Sequence, residues 1–213
     1  MDKSRTRETT LGEEVERYYS DQLRRYGATP LGVGWTCAPT QDLRFVQLAR
    51  LFDGARGFSL NDVGCGYGAL LGYLRKRHKG IRLDYLGLDL SQAMVDAAKR
   101  KWRKVPGAAF ALAGNSYRMA DYCVASGIFN VKLNQDRRTW EDFVAGTLVE
   151  MYENSRLGMA VNFLREDGAL EEVPELYRCR ADGWRDFGRQ LGAAVEINGD
   201  YGMSEFTLLL RRQ

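Results

Sequence analysis

Hydrophobic positions recur at helical spacing in the first quarter of the chain, and from residue 58 onward strand and helical spacing alternate. After a polar tail to about Thr10, Val15, Tyr18, Tyr19, Leu23 and Tyr26 share one side of a 3.6-residue period, which predicts an amphipathic first helix. The stretch GATPLGVGWTCAPT reads as a loop. Pro39-Thr40 opens a second helix with Phe45, Leu48, Leu51 and Phe52 on one face, ending near Gly54. The period then changes: FSLNDV predicts a short strand, the glycines after it a turn, and ALLGYLRKRHK a helix. LDYLGLDL is nearly continuously apolar, as a strand covered on both faces should be, and SQAMVDAAKRKW follows as a helix capped by Ser91. AAFALA, DYCVAS and GMAVNFL add three strands, with a long helix carrying Trp140, Phe143, Val144, Thr147, Leu148, Met151 and Tyr152 between the last two. A helix around Trp184 to Leu191 precedes AVEI and EFTLLLRR, which the turn NGDYGM joins as a hairpin. Alternating strands and helices predict an α/β domain: a seven-stranded, mostly parallel sheet with an antiparallel last strand and helices on both faces. Residues 1–56 form helices ahead of the first strand, and residues 57–213 the sheet-based core of the same structural domain.

Composition narrows the classes. The chain has 213 residues, 45% hydrophobic and 28% charged, which suits one soluble domain. No apolar run approaches the roughly 20 residues of a membrane span, and the first residues lack the apolar centre of a signal peptide, so a cytoplasmic protein without membrane partners is expected. The 4 cysteines are far apart with no C-x-x-C pair, so neither a metal site nor a disulfide framework is expected. A net charge of +3 is too small to argue for nucleic acid. No pattern sets an oligomeric state.

The candidate chemistry sits in NDVGCGYGALLGYL. In an open parallel sheet the ligand crevice lies beyond the carboxyl ends of the strands, where Asp62 to Gly68 and Asp89 both fall. Glycine permits close approach of backbone to ligand, and an acid at the end of the next strand can accept hydrogen bonds from ribose hydroxyls. The spacing G-x-G-x-G departs from the G-x-G-x-x-G of nicotinamide sites, and Asp62 would repel a pyrophosphate while suiting a ligand that carries an ammonium group. S-adenosylmethionine is such a ligand. A nicotinamide cofactor and a purely structural turn are the alternatives.

Asp62-Val63-Gly64-Cys65-Gly66-Tyr67-Gly68 resembles the first motif of the class I S-adenosylmethionine-dependent methyltransferases. The resemblance extends over YLGLDLSQAMVDAAK, AGNSY and DYCVASGIFN, covering about residues 57 to 130. It implies a Rossmann-like fold, S-adenosylmethionine as cofactor and S-adenosylhomocysteine as product. By the same resemblance Asp89 is the ribose-binding acid, with Leu90 beside it, and Met94 lies by the adenine. Asn115 reads the adenine edge with Ser116 next to it, Ser126 and Gly127 lie beside the methionine part, and Ile128 and Phe129 line the pocket. Cys65, at a variable position, reads as a packed thiol, and His78, the single histidine, lies away from the strand tips.

Methyl transfer from a sulfonium asks the protein mainly to align the acceptor and exclude water. Candidates for acceptor contact are Trp35, Asn130, Lys132, Tyr201 and Glu205, and Gln41 or Arg44 on the second helix could reach the cofactor's carboxylate. Residues 165–182 lack a clear period and are longer than a usual connection, as a substrate lid would be. The expected activity is methyl transfer to an oxygen or nitrogen of a small-molecule acceptor: a metabolite, sugar or secondary-metabolite intermediate. The alternatives are a protein or RNA methyltransferase and a non-catalytic cofactor-binding subunit.

Overall fold

The computed structural model describes residues 3–35, 37–112, 118–167 and 173–213, with side chains from Leu11 onward. The first helix, α1 (Lys3–Tyr26), starts well before the expected Thr10 boundary. A single 3-10 turn, Leu31–Val33, interrupts the following loop, and α2 (Ala38–Ala49) begins with Pro39 in its first turn, where a missing N–H costs nothing. Then come β1 (Gly57–Val63), α3 (Ala69–Arg77), β2 (Arg82–Asp89), α4 (Gln92–Trp102), β3 (Ala108–Leu112) and β4 (Ala120–Ala125). The second half holds α5 (Arg137–Glu153), β5 (Ser155–Arg165), β6 (Arg178–Cys179), α6 (Ala181–Gln190), β7 (Ala194–Asn198) and β8 (Glu205–Arg211).

Seven strands run in the order β3-β2-β1-β4-β5-β8-β7, and β8 is antiparallel to both of its neighbours. The eighth, β6, was not expected: two residues pair in parallel with Leu164 and Arg165 beyond the end of β4. Strand order reverses between β1 and β4, so their carboxyl ends open the crevice that this topology offers a ligand. Alternation along the strands divides the core into two layers. Val63, Leu88, Cys123, Met159, Val161 and Phe163 face α1, α5 and α6, while Leu60, Tyr85, Tyr122, Val124 and Ala160 face α2, α3 and the inner side of α4. No helix among the described residues is long and apolar enough to cross a membrane.

Candidate active site

At the tip of β1 the chain reverses through three glycines, Gly64, Gly66 and Gly68, with φ of 70°, 54° and 78°. Gly64 N and Cys65 N donate to Leu88 O at 2.8 and 3.0 Å, which ties the turn to β2. A Cβ on Gly64 would come within 2.1 Å of Ile128 Cγ2, so the position has neither the backbone freedom nor the room for a side chain. Gly64→Ala should therefore cost about 1–3 kcal/mol of stability, read by urea denaturation, and an unchanged midpoint would mean that the turn relaxes freely.

Two carboxylates flank this turn. Asp89, at the end of β2, accepts from Gly66 N at 2.8 Å through Oδ2 and from Ser91 N at 2.9 Å through Oδ1. Ser91 caps α4, its Oγ accepting from Met94 N at 3.2 Å. Asp62, the penultimate residue of β1, accepts from the Tyr85 hydroxyl. Burial pushes Asp62 up to about 7, opposed by the Tyr85 hydrogen bond and reinforced by the charge of Asp89. Burial likewise lifts Asp89 to about 6 against its backbone donors. Cys65 is buried and its thiol is pushed well up by desolvation and then by both aspartates, which keeps it protonated.

Above the turn lies a cleft. Its floor is the glycine loop, Leu90, Met94 and Ser126 to Ile128, and its walls are Gln41 and Phe45 of α2 and Phe143 and Thr147 of α5. Val15, Glu16 and Tyr19 of α1, with Val33 and Trp35 of the loop after it, close the top. Its described lining contains three carboxylates, Glu16, Asp62 and Asp89, and no lysine, arginine or histidine. Ser126 Oγ is buried without a hydrogen-bond partner among the described residues. Gly127, φ 74°, holds the Trp35 ring against its backbone and donates its N–H to Asn162 Oδ1 at 3.0 Å.

Of the residues expected at the site, Trp35, Gln41, Asp62, Gly64, Cys65, Gly66, Asp89, Leu90, Met94, Ser126 and Gly127 line this cleft. Gln41 Oε1 accepts from the Tyr67 hydroxyl at 3.3 Å. Gly68 instead precedes α3 and packs on Trp102, and Phe129 is a core residue stacked on Phe163 at 5.5 Å. Asn115 and Ser116 fall outside the described residues. Arg44 departs from the expectation: its guanidinium forms a forked, buried ion pair with Glu205, Nε to Oε2 at 2.7 Å, and lies 3.7 Å over the Trp35 ring. That pairing takes both Arg44 and Glu205 away from direct ligand contact, because a buried charge is held by its opposite. Tyr201 lies 3.3 Å from Thr207 Oγ1 with its hydroxyl pushed up to about 12 by burial, Lys132 Nζ donates to Gln135 O, and Asn130 is buried with no side-chain partner among the described residues; none of the three lines the cleft. The described end of the 165–182 segment runs along the chain after β4, Tyr177 N donating to Asn130 O and Glu175 O accepting from Lys132 N, and contributes nothing to the cleft lining. Sequence reasoning missed Glu16, Val15, Tyr19, Val33, Phe143 and Thr147; only the helical period shared by Val15 and Tyr19 hinted that α1 presents a face here.

A methyltransferase domain model matches residues 61–138. A relative from Mycobacterium tuberculosis named as a methyltransferase, Rv1506c, is 39% identical over 165 residues, spanning 76% of this chain and 98% of its own. The chain belongs to the S-adenosylmethionine-dependent methyltransferases. Solved methyltransferases share the fold at low identity. Magnesium protoporphyrin IX methyltransferase of Synechocystis PCC 6803, with S-adenosylmethionine bound, superposes with a TM-score of 0.66 at 15% identity over 100% of this chain and 98% of its own. Human N-acetylserotonin methyltransferase gives 0.59 at 13% over 93% and 66%. A Haloferax volcanii methyltransferase in complex with the Trm112 activator gives 0.62 at 14% over 94% and 96%. The cleft of this methyltransferase fits its family's cofactor: a glycine floor that admits close approach, a buried hydroxyl with no partner among the described residues, and three carboxylates with no cation in the described lining, for a ligand that brings a sulfonium and an ammonium.

Proposed function

We propose that this methyltransferase transfers the methyl group of S-adenosylmethionine to an oxygen or nitrogen of a small-molecule acceptor. The observation that carries the reading is the cleft itself, bounded by α1 and α2 and lined by Tyr19, Trp35, Phe45 and Phe143, a chemistry suited to a small, partly aromatic acceptor rather than to a polymer. In this reading residues 1–56 cover the cofactor. Asp89 takes the ribose hydroxyls with the lone pairs that Gly66 and Ser91 leave free, Asp62 faces the ammonium, Met94 packs on the adenine, and Ser126 and Gly127 border the methionine part. Gln41 is the polar group of α2 within reach. The bound cofactor supplies an activated methyl carbon; the chain's residues orient it, exclude water and hold the acceptor. The test is methyl transfer from labelled cofactor into metabolite extracts, with total protein and RNA as parallel acceptors. Label confined to small molecules supports the reading, and label in RNA or protein alone overturns it.

The raised aspartates give the reading a pH signature. An ammonium-bearing ligand favours ionised carboxylates, so affinity should be flat above about pH 8 and fall as the pH drops through about 7 and then 6, the values of Asp62 and Asp89 in the free protein. The free protein should run the other way. Both groups bind protons more firmly folded than unfolded, so their contribution to stability is complete below the ordinary carboxylate value and is lost as pH rises through 6 to 7, at up to about 1.4 kcal/mol per pH unit per group. Calorimetry with S-adenosylhomocysteine from pH 5.5 to 8.5 reads the first trend and thermal melting the second. A pH-independent affinity would remove both acids from the ligand.

A further inference from the structure

The third carboxylate of the cleft belongs to no motif of the family. Glu16 lies on α1, and Ser20, one turn further along, donates to its Oε1 at 2.6 Å. Ser20 Oγ also lies 2.8 Å from Ser91 Oγ, a buried contact between α1 and the cap of α4. A hydroxyl has one proton to give, so with that of Ser20 committed to the carboxylate, Ser91 donates the second bond, and Ser91 Oγ itself accepts from Met94 N. The run from Met94 N–H through Ser91 and Ser20 therefore points one way, from the positive end of α4 into Glu16. It occupies one carboxylate oxygen and anchors Glu16 to the end of the cleft where Ser91 N also holds Asp89.

Two acids brought to one end of an enclosed cleft with no basic residue in its described lining repel each other unless a ligand supplies donors to both. Surface glutamates on a helix ordinarily point to water; this one lines the cleft and is oriented by a buried serine pair. We propose that Glu16 is a ligand for the nucleoside of the cofactor, delivered by α1 to the same end of the cleft as Asp89. The assignment rests on the reading of Asp89 as the ribose acid. It makes α1 part of the binding site: the helix docks through Ser20 onto Ser91, and Glu14 accepts from Gln135 Nε2 at 2.9 Å in an exposed contact that ties α1 to the segment ahead of α5.

The test compares wild type, Glu16→Gln and Glu16→Asp by calorimetry with S-adenosylhomocysteine and by competition with 5′-methylthioadenosine, which has the nucleoside and lacks the amino acid. Hydrogen exchange over residues 11–26 is followed with and without S-adenosylhomocysteine. Glu16→Gln should weaken both ligands by the same factor, roughly tenfold or more, and Glu16→Asp should recover part of the loss. Ligand-induced protection of α1 seen in the wild type should shrink in Glu16→Gln, while the melting temperature of the free variant stays near that of the wild type. Unchanged affinity in both variants would overturn the assignment. So would a loss confined to S-adenosylhomocysteine, which moves Glu16 to the amino-acid end. A wild type that binds neither ligand would overturn the cofactor reading first, and this inference with it.

Discussion

Glu205→Ala should destabilise the folded chain by about 3–5 kcal/mol, because it strands the buried Arg44 guanidinium without its counter-charge. Side-chain exposure is 7% for Arg44 and 3% for Glu205, so water cannot replace the lost partner. The damage should also spread to the cleft. Asn162 Nδ2 donates to Glu205 Oε2 at 3.4 Å while its Oδ1 holds Gly127 N, and both Arg44 and Gly127 pack on Trp35. Urea denaturation of Glu205→Ala, Arg44→Met and the double variant Arg44→Met/Glu205→Leu separates the terms. Each single change should cost several kcal/mol, and the double variant should recover much of that, since an apolar pair of similar volume leaves no buried charge. Equal losses in the single and double variants would show that the pair contributes packing rather than charge compensation.

Asp89→Ala should weaken S-adenosylhomocysteine binding by about 1.5–3 kcal/mol, roughly ten- to a hundredfold or more, because in the proposed reading it removes charge-assisted hydrogen bonds to the ribose. A second loss adds to it: Gly66 N and Ser91 N lose their acceptor, and the glycine turn loses its fastening to the start of α4. The stability of the free protein distinguishes a binding residue from a merely structural one. Burial has raised Asp89 to about 6, so its ionised form is held at a cost near neutral pH. Asp89→Asn, which keeps one acceptor and removes the charge, should therefore melt no lower than the wild type at pH 8 while binding S-adenosylhomocysteine far more weakly. A variant that binds normally would take Asp89 out of the site. One that melts much lower and binds normally once folded would make it a structural residue.

The parts of the fold that the sequence announces are those where one local period persists. β1 through α4 could be placed to within one or two residues, because LDYLGLDL is nearly continuously apolar, the glycines mark the turn before α3, and Ser91 carries its capping signal immediately before an apolar period. β6 could not, since two residues have no period and Arg178 and Cys179 become a strand only because Leu164 and Arg165 extend past β4 to receive them. The start of α1 was placed late because KSRTRETT has no apolar stripe to register. At the site, residues adjacent to the glycine turn were legible as a group, since the turn, Asp62 and Asp89 follow from strand ends. Arg44 and Glu205 were each marked as polar groups near the cleft, yet nothing local says that residues 161 positions apart will neutralise one another. Glu16 was hidden for the opposite reason: among Glu13, Glu14 and Arg17 it looks like any solvated helix charge, and only the fold shows which of these points inward.

The order in which the chain emerges during synthesis gives the C-terminal hairpin a further meaning. α2 is made early, but Arg44 waits for Glu205, Gln47 for Asn198, and the carbonyls of Arg50 and Leu51 for Arg211. All of these partners lie in β7 and β8, which are made after every other element of the fold described above. A nascent chain can form the glycine turn and its neighbouring strands before β8 exists, but the α2 wall of the cleft gains these anchors only once β8 has been made. The hairpin thus completes a site whose motif lies far ahead of it, and a chain cut short before β8 carries the whole first motif without the support that shapes the cleft above it.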